Sequence, residues 1–194
     1  VFVACLFFVL IFAALPSFAN DTGDMQLTDG DSSNFTQLQN DIDSGVDTVE
    51  LDGDYSCEDG FKSSGVNISR DMTVKGHDVT INAKNKSAIF NITADKAAFS
   101  GIDFVDSPNA VVSSSDSLIF ENCRFINAGV TFAGGNLTFK NCEFIQNSFI
   151  DANAENVNIE GSKFHDLRIF ENGISINASN VAITESAFED NVAY

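Results

Sequence analysis

The sequence is short of bases, of tryptophan and of histidine. Lys plus Arg number 10 against 28 Asp plus Glu, a formal net charge of -18. A chain this acidic repels phosphates instead of releasing their counterions, which argues against nucleic acid and against an anionic membrane surface as partners. The aromatic residues are 19 Phe with only two Tyr and no Trp. His77 and His165 share no ligand spacing with each other or with a cysteine, so zinc is disfavoured. The apolar run at residues 1–15 is shorter than the roughly 20 residues that span a bilayer.

What remains is 194 residues at 20.9 kDa, enough for one ordinary domain or a piece of something longer. Residues 1–15 are uninterrupted apolar, Ser17 and Ala19 fit the small-x-small rule, and polarity flips at Asn20 and Asp21. Residues 1–19 therefore read as a signal peptide cut after Ala19, with a retained membrane anchor as the alternative, and the mature chain as exported, to the cell surface or beyond. Residues 20–61 hold twelve of the acids and no base, so the stretch after the cut is a solvated acidic lead. Export permits disulfides, but Cys57, Cys123 and Cys142 are an odd number and cannot all pair internally. Asn-x-Ser/Thr sequons stand at Asn20, Asn34, Asn67, Asn85, Asn91, Asn136 and Asn177; they permit surface glycosylation without establishing it.

The body of the chain repeats an eight-residue phrase: MTVKGHDV from Met72, AAFSGIDF from Ala97, LIFENCRF from Leu118, LTFKNCEF from Leu137, VNIEGSKF from Val157 and VAITESAF from Val181. Positions one and three are apolar every time, which is the period of a strand with one buried face. Position five is Gly76, Gly101, Asn122, Asn141 or Gly161, residues that enter the left-handed region cheaply, and only Glu185 departs. A bend therefore interrupts each phrase. Positions six (from His77 to Ser186) and eight (from Val79 to Phe188) then alternate as a second short strand. A third strand is marked seven residues before each later phrase by Phe90, Val111, Val130, Ile150 and Ile174.

A unit of about 20 residues with three short strands cannot bury its face alone, so the predicted fold is all-β: a parallel β-helix solenoid in which coil stacks on coil. A leucine-rich repeat shares the period but needs a helical return, and the returns here are short, polar and rich in Asn and Ser. A β-sandwich also uses short alternating strands, yet does not explain a fixed phrase length. Residues 46–194 are read as about six coils, cut off in mid-coil at Tyr194. Residues 32–45 carry an N-cap signal at Ser32 to Asn34, apolar Phe35, Leu38 and Ile42, and a stop at Gly45, so 20–45 comprises the acidic lead and a short capping helix. Outward position four reads Lys75, Ser100, Glu121, Lys140, Glu160, and outward position seven reads Asp78, Asp103, Arg124, Glu143, Lys163; opposite signs meet between the middle coils.

The stretch FTQLQNDIDSG followed by VELDGDY, then MTVKGHDVTINA and the NCxF phrases at Asn122 to Phe125 and Asn141 to Phe144, resembles the right-handed parallel β-helix repeats of archaeal adhesin-like surface proteins, especially those of methanogens. Phe144 to Asn147 and Phe188 to Asn191 also resemble the FxxN repeats of chlamydial polymorphic outer-membrane proteins, whose partner GGA-aliphatic motif is absent. The first resemblance covers residues 32–194 and implies a fold more than an activity, because pectate-lyase-like enzymes share the architecture.

Chemistry on such a scaffold would use Arg124, Lys140 or Lys163 as base, with Asp103, Glu121, Glu143 and Glu160 around a calcium ion. Each has a neighbour of opposite sign or shares a column with one, so a self-neutralising surface is expected instead. Carboxylates are too plentiful for any one pair to mark a glycosidase site. Asp29, Asp31, Ser33 and Asp52, Asp54, Ser56 match the opening of a calcium loop but lack its Gly at position six and Glu at position twelve. His77 falls on an inward column. Cys123 and Cys142 share one inward position and are read as small packing residues, with a disulfide as the alternative. Asn122 and Asn141 are expected to form an amide ladder. The expected role is an adhesin-like stalk or adhesive surface with no catalytic, cofactor or metal site, and with cell-surface glycans, other cells and further domains of its own chain as partners. The rival is a polysaccharide lyase or glycosidase.

Overall fold

The computed structural model describes residues 33–169 and 173–193. The expected signal peptide at 1–19, the Asn20 sequon and the Asp29 and Asp31 half of one calcium-like string lie outside the described residues. Among the described residues no helix is long and apolar enough to cross a membrane.

The chain is a parallel β-solenoid of about seven turns of roughly 21 residues, 63% strand, with one short helix near its start. Many strands run on through a bend, as Lys96–Ser113 and Arg124–Lys140 do. Three inward columns fix the phase. On the first face Val49, Val74, Phe99, Phe120, Phe139, Ile159 and Ile183 stand in register. On the second, Tyr55, Ile81, Phe104, Phe125, Phe144, Phe164 and Phe188 do. The third holds Val66, Phe90, Val111, Val130, Ile150 and Ile174, the column expected seven residues ahead of each phrase. The rung at Val49 makes one coil more than the six expected.

Stacking is literal. Ring centroids of Phe104, Phe125, Phe144, Phe164 and Phe188 follow one another at 4.6 to 4.9 Å with interplanar angles of 5 to 8°. Phe99, Phe120 and Phe139 form a second pile at 5.2 to 5.3 Å. Edges of one pile meet faces of the other, Phe120 against Phe125 at 80° and Phe139 against Phe144 at 80°. Both arrangements suit the ring quadrupole, and most of these rings are fully buried.

The bend between the first and second faces is a single left-handed residue: Gly101 (φ 63°), Asn122 (53°), Asn141 (51°), Gly161 (59°) and Glu185 (53°). Glu185, the departure in residue type, thus adopts the same backbone at a cost of about 1 kcal/mol. A second left-handed column, which the repeat reading missed, follows the Phe ladder by two residues at Asp106, Asn127, Gln146, Asp166 and Asp190.

The first phrase corrects the expected alignment. Lys75 pairs with Ser100 but Val79 pairs with Ile102, so coil one carries two extra residues. Val79 takes position six and Ile81 position eight, while Thr80, not Asp78, stands beside Asp103. His77 is exposed, not inward, because it lies in the insertion. The left-handed residue there is Asp78 (φ 59°), not Gly76.

The helix, α1 (Phe35–Ile42), closes the first coil as expected, burying Phe35, Leu38 and Ile42. Asn34 is its N-cap and accepts from Gln37 N–H at 2.8 Å. Glu58 accepts the Phe35 and Thr36 amides at 2.9 and 3.0 Å, an anion at the positive end of the helix. Burial acts to raise its carboxyl, but these bonds and the Thr36 hydroxyl hold it below its ordinary value. At the other end Arg70 donates to Ile42 O at 2.9 Å.

Truncating one ring of the pile leaves a void between two neighbours that the backbone ladder keeps apart. Phe144→Ala is expected to cost about 3 to 5 kcal/mol and Phe144→Leu well under half of that, read from urea unfolding midpoints. A loss below about 1 kcal/mol for the alanine variant would contradict the stacked core.

Candidate functional site

The charged residues gather on the outward faces of the first and second strands. Strand register brings Asp103, Arg124, Glu143 and Lys163 together as expected, and Glu121, Lys140 and Glu160 likewise. The ion pairs differ in part from that order. Arg124 bonds Asp103 at 2.9 Å, Lys140 bonds Glu121 at 3.7 Å, and Lys163 turns to Glu189 at 3.0 Å. Glu143, opposite both Arg124 and Lys163 in register, instead takes His165 Nε2 at 2.7 Å. The reason is reach: His165 stands one coil on and two residues along, so its ring crosses the diagonal to Glu143.

His165 also meets Asp166 Oδ2 through Nδ1 at 2.9 Å. Two carboxylates ask both ring nitrogens to donate, which only the imidazolium can do. The Asp166 and Glu143 bonds accordingly raise its pKa, against burial and the like charge of Lys163. Ligand spacing gives His165 no such role; the signal for it is the residue's place two positions after Lys163 on the outward face. Asp103 behaves oppositely: burial outweighs the Arg124 guanidinium, so its carboxyl lies above its ordinary value, helped by the negative charges of Asp78 and Glu143.

Amides make ladders of their own. Asn141 donates to Asn122 at 3.4 Å, as expected. The structure adds Asn156 to Asn136 and Asn180 to Asn156, each at 2.8 Å, Asn177 to Asn153 at 3.2 Å and Asn91 to Asn67 at 3.3 Å. The sequons at Asn67, Asn91, Asn136 and Asn177 thus serve as rungs, and Asn34 as a helix cap. Asn85 differs: it is exposed on a turn at φ 56°.

Cys123 and Cys142 are buried, free and in adjacent coils, with sulfurs directed at the Glu121 and Lys140 carbonyls at 3.4 Å each. Burial pushes the Cys123 thiol up, as a packing residue requires. Ser162 and Ser186 fill the same slot, their hydroxyls accepting Cys142 N–H and Ser162 N–H at 3.1 Å. Cys57 is also free and buried. Of the calcium-like strings, Ser56 is in a strand paired with Asn82, and Asp54 accepts Thr80 N–H at 2.7 Å. Among the described residues no three His, Cys, Asp or Glu side chains converge as a metal site would need.

A cleft of about 440 Å³ opens at the corner between the second and third faces in the early coils, beside Ser63, Ser64, Asn85, Lys86 and Asn109. Nothing in the phrase pattern points to it, since these residues lie between the repeated strands. No protein-family model, no curated protein and no solved structure matches the chain.

With its folded pKa raised, His165 contributes stability that is fully present below the unfolded value of about 6.5 and is lost as pH rises through the folded value. His165→Asn is therefore expected to lose about 0.5 to 1 kcal/mol relative to the parent at pH 6. The gap should close by pH 9, as followed by urea titration at both values. A gap that widens with pH would show that the ring is held neutral.

Proposed function

We propose that this chain is an exported β-helix that serves as a stalk or adhesive surface at the cell exterior, of the kind found in archaeal adhesin-like proteins, and that it is not catalytic. The observation that supports this reading is the way the charged candidates are used. Arg124, Lys140 and Lys163, the bases a lyase would need, each bond an acid of a neighbouring coil. Outward amides likewise bond coil to coil. Side chains spent in this way hold register and present a repetitive polar face, a function of surface and not of a pocket. The net charge of -18 keeps such a surface solvated and directs it away from anionic partners.

The purified chain, coated on beads, is expected to bind whole cells or immobilised cell-surface glycans and to release no uronate or reducing ends from pectin, alginate or mucin. Turnover on any of these would replace the reading with a polysaccharide lyase or glycosidase. Failure to bind either cells or glycans would leave an inert spacer.

A further inference from the structure

We propose that the corner cleft bounded by Ser63, Ser64, Asn85, Lys86, Pro108 and Asn109 binds a neutral, hydroxyl-rich sugar unit, and so supplies the specific contact of the adhesive surface; it rests on that surface-binding reading. The first ground is the shape of the corner. Between equivalent positions on the second and third faces the chain takes ten residues from Ser56 to Val66, eight from Asn82 to Phe90, six from Val105 to Val111 and four from Ile126 to Val130, before lengthening again to five from Ile145 to Ile150 and nine from His165 to Ile174. Four residues suffice to turn this corner. The extra residues in the first three coils are thus not needed by the solenoid, and they step down coil by coil to leave a concave shelf.

The second ground is chemistry. The six named residues are exposed, unlike the buried Ser107 and Ser148 that satisfy backbone groups at the same corner. They offer two hydroxyls and two amides, groups that both donate and accept and so match vicinal sugar hydroxyls, with Asn109 Oδ1 meeting only the Thr131 hydroxyl at a long 3.5 Å. Lys86 adds a cation already closed by Asp59, at 2.5 Å, leaving the shelf near neutral within an acidic protein. That balance disfavours a uronate or a sulfated sugar, which the field of the whole chain would repel. Pro108 supplies an apolar edge for the C–H face of a ring, and a Cβ on Gly129 would collide with both Pro108 O and the Phe149 ring, so the bare glycine lets that ring lie beside this edge. The volume of about 440 Å³ is in the range of small-ligand sites.

The third ground is that the shelf is held in shape. Lys84 and Asn85 are consecutive left-handed residues, at φ 52° and 56°, a backbone that L side chains adopt only where the surroundings hold it. Lys84 N–H is fixed by Asn82 Oδ1 and Asn85 N–H by Asp106 O, each at 2.7 Å. The Asn85 side chain is thereby presented without the ordering cost a loose loop would carry on binding.

The test uses the whole chain from a host without N-glycosylation, because Asn85 begins a sequon and a glycan there would fill the shelf. Backbone amide shifts are followed during titration with methyl glycosides and trisaccharides of mannose, galactose, glucose and N-acetylglucosamine, with a galacturonate trisaccharide alongside. The expected result is saturable shifts at Ser64, Asn85, Lys86 and Asn109 with a dissociation constant on the order of 1 mM for a neutral sugar. The double variant Asn85→Gly, Asn109→Ala, and separately Ser64→Ala, should weaken it tenfold or more with unchanged unfolding midpoints, since glycine accepts the left-handed backbone that Asn85 holds. Shifts confined to another face, undiminished binding in both variants, or tighter binding of galacturonate would overturn this site while leaving surface binding intact. No shift with any sugar while cells still adhere would do the same; no shift and no adhesion would overturn both.

Discussion

The structure depends on one coincidence of lengths. Parallel strands stack about 4.8 Å apart, and that is also close to the distance at which phenyl rings can lie face to face with a small offset. Ring spacings of 4.6 to 4.9 Å along the second face show the side chains accepting the backbone's interval. Phenylalanine suits this position because it has no polar atom to satisfy in a dry interior, whereas Tyr or Trp would need a partner in every coil. Tyr55 illustrates the requirement: it ends the column beside the cap, and its hydroxyl donates to Asp41 at 2.9 Å. Burial and that carboxylate push its phenol above the ordinary value.

Stacking in phase demands that each coil return to the same place, and the left-handed corners enforce the return. A single residue near φ 50 to 60° turns the chain without adding length, so Asn122 and Asn141 act as bend and as rung at once. Polar side chains at the corners follow the same economy. Ser148 accepts Ala128 N–H and donates to Phe125 O, and Asn191 performs the pair of tasks at the next such corner, toward Leu167 N–H and Phe164 O. The backbone groups freed by a bend therefore do not go unpaired in a core that excludes water.

Much of this was legible because a solenoid writes its geometry as a period. Phe99, Phe120 and Phe139 fall at one place in the phrase, and that place became one column. The helix was legible for the same local reasons, a capping Asn34 and apolar residues spaced three and four apart. Reading failed where the period is broken. Gly76 imitates the bend residue of the other phrases, so the two-residue insertion that carries His77 outward was invisible until Val79 was seen opposite Ile102. The contact of His165 with Glu143 runs diagonally between coils, and column-by-column comparison sees only neighbours in register. The second left-handed column was present in the letters as Asp106, Asn127, Asp166 and Asp190, but Gln146 at the same place obscured it. Corner lengths carry meaning only once the strands on either side are aligned, which is why the shelf left no signature.

These failures share a cause that bears on function. A perfectly repeated coil offers each outward side chain the same neighbours above and below, and those neighbours are its complements: acid to base, amide to amide. Such a surface satisfies itself, and a ligand gains little by competing with a partner already at 2.8 Å. Specific recognition then belongs to places where translation from coil to coil stops holding, because there a side chain loses its rung and keeps its hydrogen-bonding capacity. The corner that shortens from ten residues to four breaks the repeat gradually, over three successive coils, whereas its later lengthening from five residues to nine falls in one. On the proposed reading the regular part supplies rigidity and the irregular part supplies choice, so the same stacking that makes most of the face inert would also hold the exception still.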